Sequence, residues 1–64
     1  MFAFGNDAQR VLRARSDRHV RNAWARLVDT RGERAAFVEL SAHAGGSDAA
    51  FRKLDQHGIL TDQA

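Results

Sequence analysis

Residues 40–54 read L-S-A-H-A-G-G-S-D-A-A-F-R-K-L, with two adjacent glycines, Gly45 and Gly46, near the middle. The apolar residues on both sides of this pair follow helical spacing. Glycine is costly inside a helix and favoured just past its end, whereas Ser47 followed by Asp48 is typical of a helix start. The segment therefore predicts two short helices joined by a tight turn.

The remaining glycines mark other helix ends, since the chain has no proline and the apolar spacing also breaks at Gly5, Gly32 and Gly58. Asn6, with Gln9 three residues later, forms a capping-box pattern that predicts the start of the first helix. These signals predict an all-α bundle of four short helices. We place them at approximately residues 7–15, 17–30, 34–44 and 48–57, in one domain over residues 1–64, with a helix-turn-helix-like hairpin over 34–57 and flexible ends at 1–5 and 61–64.

Two of these helix assignments have an alternative: the break between the first two helices, and the helix that contains residues 36–40. At about 100° per residue, the apolar faces of the first and second segments differ by roughly a third of a turn. Ser16 followed by Asp17 can cap a helix at this mismatch, so we predict a break there, the alternative being one long helix over residues 7–29. Residues 36–40, A-F-V-E-L, are compatible with a strand, but the alanine content and the helix that follows favour a helix.

The hydrophobic core of so short a chain is small. Sixty-four residues bury only about 60% of the surface that the unfolded chain exposes. Without cysteine there is no disulfide, and self-association is the remaining common stabiliser, so we expect a homodimer. The large apolar candidates for the core are Val11, Leu12, Val20, Trp24, Leu27, Val28, Phe37, Val38, Leu40, Phe51, Leu54, Ile59 and Leu60, with Phe2 and Phe4 at the amino terminus.

The composition argues against several classes of function. No apolar run approaches the roughly 18 residues of a membrane span, and the start lacks the basic-then-apolar order of a secretory signal, so we expect a cytoplasmic protein. His19, His43 and His57 lie in different segments without the i, i+4 spacing of a helical metal pair. We expect them on the surface and predict no metal site. Ser47 and Asp48 are explained as helix-start residues, and we predict neither catalysis nor a cofactor.

Charge is unevenly distributed along the chain, whose formal net charge is +2. Residues 1–31 carry seven arginines and three aspartates, whereas residues 32–64 carry three basic and five acidic residues. The basic side chains of the first half could form a solvated face, contact nucleic-acid phosphate, or meet an acidic protein partner or an anionic membrane surface. The membrane is the weakest of these alternatives, because the basic helix lacks a broad apolar face, and we predict no membrane partner. The candidates for phosphate contact are Arg10, Arg13, Arg18 and Arg21. Nine arginines against one lysine, with twelve alanines, indicate a GC-rich bacterial or phage source.

A second pattern concerns the buried and turn positions of residues 40–58. Apolar or small residues occupy seven spaced positions: Leu40, Ser41, Ala44, Gly45, Phe51, Leu54 and Gly58. This spacing resembles the bacterial helix-turn-helix family, in particular the small phage-repressor type, with Gly46 where that pattern usually has an apolar residue. The resemblance implies a recognition helix over residues 48–57 that enters the major groove of DNA. Its implied contacts are Ser47, Arg52 to guanine or phosphate, Lys53 to phosphate, and Gln56 to adenine.

Two functions from different classes are compatible with the sequence. The first is a small DNA-binding regulator of helix-turn-helix type that acts as a dimer on double-stranded DNA. The alternative is a protein-interaction module without DNA contact, such as a phage- or plasmid-type inhibitor, adaptor or antirepressor. Its candidate interface residues are Phe2, Phe4 and Trp24, although the central position of Trp24 on an apolar helix face also predicts a core anchor.

Overall fold

The computed structural model describes residues 7–60, which fold into four helices and contain no strand. The helical prediction for residues 36–40 and the all-α fold class are thus confirmed. Asn6, the predicted flexible ends, and the candidate interface residues Phe2 and Phe4 lie outside the described residues. The helices are α1 (Asp7–Arg13), α2 (Asp17–Arg31), α3 (Glu33–Ala44) and α4 (Ser47–Gln56).

The predicted break between α1 and α2 is confirmed, so the two segments do not form one long helix. Ser16 has an extended backbone and caps α2, because its Oγ accepts a hydrogen bond of 3.1 Å from the backbone N–H of His19. α1 ends at Arg13, two residues earlier than predicted. The change of direction at Ser16 lets the apolar faces of both helices point into the same core.

The core lies where the helices meet. α1 packs on α2 and α3, α2 packs on α3, and α4 packs mainly on α3. One alanine on each of α1, α3 and α4 is fully buried, namely Ala8, Ala36 and Ala50, which lets these helices approach closely. The buried hydrophobic residues among those described are Ala8, Val11, Val20, Ala23, Trp24, Leu27, Ala36, Leu40, Ala50 and Leu54. Half-buried Leu12, Val28, Phe37, Ile59 and Leu60 pack around them.

Two residues predicted for the core are exposed, so the prediction is wrong for Val38, which is 63% exposed, and for Phe51, which is 52% exposed. α3 buries Ala36 and Leu40, and Val38 lies two residues from each, on the opposite side of the helix. Phe51 follows the buried Ala50 by one residue and is rotated about 100° away from it. Small side chains thus occupy the core positions that the larger ones were predicted to fill.

The turn between α3 and α4 consists of two glycines. The N–H groups of Gly45 and Gly46 both donate to the carbonyl oxygen of Ser41, at 3.1 and 2.9 Å. The φ angles of 92° and 143° are values that residues with a Cβ rarely adopt. Gly46 is the N-cap of α4 and Ser47 is already helical, without a side-chain capping bond, so the predicted capping role of Ser47 is wrong. In so short a turn, the last residue before α4 must complete the reversal, and only glycine does so without strain.

α4 ends before Gly58, as the glycine predicts, and the chain folds back at Ile59. The N–H of Ile59 donates to the carbonyl oxygen of Leu54, and the N–H of Gly58 to that of Asp55, each at 3.0 Å. This pair of bonds, with φ of 78° at Gly58, is the Schellman arrangement. Ile59 packs against the core. Within residues 7–60, none of the helices has the length and apolar character needed to cross a bilayer.

Candidate nucleic-acid interface

The arginines of α1 and α2 separate into two groups. One group lines an open cleft of about 510 Å³ between the two helices, to which we refer as the α1–α2 cleft. Its lining residues are Asp7, Arg10, Arg13 and Ala14 from the first helix and the link, and His19, Asn22, Ala23 and Arg26 from α2. Two predicted contact residues, Arg10 and Arg13, are therefore brought together with a third arginine across the cleft.

The charges of the α1–α2 cleft have no ion-pair partner among the residues that the structure describes. The ion pairs within residues 7–60 are Arg31 with Glu39 and His57 with Asp17, and none involves the cleft. Three guanidinium groups therefore face one carboxylate, that of Asp7, without a salt bridge among the described residues. Guanidinium presents its donors in a planar fork that matches phosphate oxygens. The cleft is chemically suited to an anion that carries several acceptor oxygens.

The other two predicted phosphate contacts, Arg18 and Arg21, lie on α2. They are exposed but do not line the cleft. The cleft positions of α2 are 19, 22 and 26, which share one helix face, and residues 18 and 21 lie on the next face. Sequence reasoning missed His19, Asn22 and Arg26 as members of a site. Their i, i+3, i+7 spacing was available in the sequence, but its meaning depended on α1 lying opposite.

A second groove lies beside α4. It has a volume of about 370 Å³, and we call it the α4 groove. Three of the four α4 residues predicted to contact DNA lie in it together, and His43 of α3, which the sequence did not single out as a contact, joins them. Ser47, the fourth, is exposed at the start of the helix and lies outside the groove. The lining residues are Leu12, His43, Ala44, Ala49, Arg52, Lys53 and Gln56.

Lys53 already has a partner within the protein. Its Nζ donates a hydrogen bond of 2.8 Å to the carbonyl oxygen of Ala14, just past the end of α1, and its side chain is half-buried. A cation is favourable at this position because the carboxyl end of a helix carries partial negative charge. Ala14 also lines the α1–α2 cleft, so the two basic grooves adjoin at this bond.

His57 is buried, with 7% of its surface exposed, and the prediction of a surface location is wrong for this histidine. Its Nδ1 lies 2.7 Å from Oδ1 of Asp17 in the first turn of α2. The residue is the C-cap of α4, where the chain turns back over the helices before it. Lys53 thus binds the link between α1 and α2, and His57 contacts the first residue of α2; both contacts hold α4 against this part of the chain.

Trp24 lies in the core, 9% exposed, as its central position on the apolar face of α2 predicts. Its remaining surface contributes to a groove of about 550 Å³ that Phe37, Val38 and Leu60 also line. Its role as an interface residue stays a prediction. Within residues 7–60, no three His, Cys, Asp or Glu residues are grouped so as to hold a metal ion.

No protein-family model matches the sequence, and neither a curated protein nor a solved structure is significantly similar to it. The resemblance of residues 40–58 to the helix-turn-helix family therefore stays a prediction.

Proposed function

We propose that this protein is a small DNA-binding regulator that acts as a dimer, in which the α1–α2 cleft holds backbone phosphates and α4 approaches the base edges. The observation that carries the proposal is the adjacency of the cleft to the α4 groove at the bond between Lys53 and Ala14. The three arginines of the cleft form no salt bridge within residues 7–60. A ligand that spans both grooves has to present anionic groups over an extended surface. Duplex DNA does so, with one negative charge per about 1.7 Å of its axis.

The two grooves are suited to different parts of this task. Affinity for DNA depends mainly on neutralising phosphates, and the α1–α2 cleft holds three arginines and one aspartate, none of them in an ion pair with a described residue. α4 carries Asp48 and Asp55 beside its basic residues, so it adds little net attraction. Its exposed Arg52 and Gln56 lie four residues apart, on one helix face, and can hydrogen-bond to guanine and adenine edges.

The proposal is tested by recording amide and arginine side-chain NMR signals while a mixed-sequence duplex is added at low and then moderate salt. We expect saturable shifts at Arg10, Arg13 and Arg26, accompanied by shifts along α4, all reversed by salt. If these three arginines each neutralise one phosphate, the affinity falls with salt with a logarithmic slope of about −3. The absence of shifts at low salt would exclude DNA binding.

A paired variant separates the cleft from the general charge of α2. Arg18→Ala with Arg21→Ala removes two charges from the same helix but leaves the cleft intact. We expect this variant to retain most of the affinity. A loss as large as that from two cleft arginines would show that a diffuse basic surface, and not the cleft, attracts DNA.

A protein-interaction module is the second candidate, and the exposure of Phe51 favours it. This phenylalanine is 52% exposed on α4, next to Arg52 and one turn from Asp48. Aromatic residues with a polar surround are common anchors at interfaces between proteins. Phe51→Ala should then abolish partner binding without unfolding the domain, whereas DNA binding through the cleft should be unaffected.

A further inference from the structure

The outer face of α3 is an apolar groove that no described residue covers. It has a volume of about 700 Å³ and is continuous with the groove beside Trp24 through Val38, the most exposed large hydrophobic residue of the described chain. This face lies opposite the side of α3 that packs into the core. Its lining residues are Arg31, Gly32, Glu33, Arg34, Ala35, Val38, Glu39 and Ala42.

The spacing on this face fits a second helix lying alongside. Ala35, Val38 and Ala42 are three and four residues apart, which is the alternation of the two seam positions in a coiled coil. Two of the three side chains are methyl groups, so a partner helix can approach closely. Their narrow apolar stripe is therefore better suited to a helix than to an extended peptide, which would use a period of two residues.

The charges beside the stripe indicate both the partner and its direction. Arg34 lies on one flank and Glu39 on the other, five residues later. In a parallel pair of identical helices, opposite flanks meet, so Arg34 faces Glu39 of the partner subunit and the reverse contact forms as well. An antiparallel pair brings equal flanks together, which sets like charges beside each other. The face is thus self-complementary in the parallel orientation only.

Glu39 has the acceptor capacity for this contact. Within its own chain, Oε1 of Glu39 lies 2.7 Å from Nε of Arg31. The second carboxylate oxygen can accept from another guanidinium, since a carboxylate offers about four lone-pair sites. The bond to Arg31 also restricts the Glu39 side chain to the edge of the stripe, which reduces the entropy lost on pairing.

We propose that α3 pairs in parallel with α3 of a second copy of this chain, about a two-fold axis that runs along Ala35, Val38 and Ala42. The pairing involves neither groove assigned to DNA, so it can form without DNA and can fail independently of DNA binding. α3 has twelve residues and is about 18 Å long, so a pairing through α3 alone buries little surface. Small interfaces are typical of weak complexes, and we expect a weak dimer.

Sedimentation equilibrium over micromolar to millimolar protein concentrations, without DNA, tests the pairing. We expect Val38→Glu to raise the Kd at least tenfold, because it places two carboxylates at the seam. Arg34→Glu should raise it several-fold, since the new carboxylate faces Glu39 of the partner subunit. Ala25→Glu is the matched control, as Ala25 is also exposed but lies on α2 outside the described grooves, and it should leave the Kd unchanged.

The direction of pairing is tested by cross-linking, which the absence of cysteine makes simple. Ala42→Cys should form a disulfide-linked dimer under mild oxidation, because equivalent seam positions meet across a parallel two-fold axis, whereas an antiparallel pair would set Ala42 against Ala35 of the partner subunit. Ala25→Cys, at an exposed alanine of α2, should cross-link at least tenfold more slowly. A chain that is monomeric up to 1 mM, a Val38→Glu variant that dimerises normally, or equal cross-linking of the two cysteine variants would overturn the proposal. Circular dichroism spectra check that each variant keeps its helical content.

Discussion

The α1–α2 cleft and the α4 groove both contain basic side chains, but these differ in whether a described residue already binds them. In the cleft, Arg10, Arg13 and Arg26 form no salt bridge with the described residues. In the α4 groove, Lys53 is bound to the carbonyl oxygen of Ala14. A cation in the sequence is therefore evidence of a binding surface only when the fold has not already given it a partner.

The difference has a physical cause. Lysine carries its donors on a flexible stem, which here reaches the unsatisfied carbonyl groups at the end of α1. The cleft arginines lie on two helices whose facing sides hold one carboxylate, that of Asp7. The cleft arginines are consequently available to a ligand, whereas the ammonium group of Lys53 is hydrogen-bonded to Ala14 and positions α4.

The largest effect should come from removing two cleft arginines together. Arg13→Ala with Arg26→Ala should weaken binding to a mixed duplex by about 2 to 3 kcal/mol, roughly 30- to 140-fold, because two charge-assisted bonds to phosphate are lost. The salt slope should decrease in magnitude by about 2. Fluorescence anisotropy titrations at several salt concentrations measure both quantities. An unchanged affinity would contradict the conclusion that the cleft arginines, unlike Lys53, are available to DNA.

A smaller effect, on stability, should follow from Lys53→Met. This substitution keeps the apolar stem and removes the bond to Ala14, so the free energy of unfolding should fall by about 1 to 2 kcal/mol in a urea titration. The neighbouring Arg52→Ala is the control, since this exposed residue has no bond within the described chain, and it should change stability by less than about 0.5 kcal/mol.

The same two variants compare the roles of these residues in binding. Arg52→Ala should reduce DNA affinity more than Lys53→Met does, because only the arginine is free to meet a ligand. If Lys53→Met instead lost affinity at full stability, the phosphate contact that the helix-turn-helix resemblance implies would outweigh the bond to Ala14.

The smallest effect should come from Ser16→Ala at the start of α2. Loss of the bond to the His19 N–H should destabilise the fold by about 1 kcal/mol. Thr30→Ala, which removes a side-chain bond to a carbonyl within the same helix, serves as comparison and should have a smaller effect. Amide hydrogen exchange should show Ser16→Ala loosening the start of α2. Equal protection in both variants would mean that core packing alone holds this junction.

The positions of the helices were largely predictable because they depend on local chemistry. The cap at Ser16, the glycine pair at 45 and 46 and the stop at Gly58 act over a few residues, and the structure has a helix end at each. The errors concern which side of a helix faces the core. Phe51 is exposed because the packing of α4 on the neighbouring helix turns the adjacent Ala50 inward.

The candidate site was predicted in part. Arg10, Arg13, Arg52 and Gln56 followed from charge and from the resemblance, and the structure has them in two adjoining grooves. Arg26 was missed because nothing in its sequence neighbourhood distinguishes it from Arg18 or Arg21. Membership of the cleft depends on which face of α2 lies opposite α1.

The sequence by itself determined the number, type and approximate limits of the helices, since capping, glycine conformation and helical periodicity act between near neighbours. Only the tertiary structure decided which cations are free. The bond from Lys53 to Ala14 joins residues 39 positions apart, and the contact between His57 and Asp17 spans 40 positions. Such pairs form because packing brings distant segments together, and no local pattern encodes them.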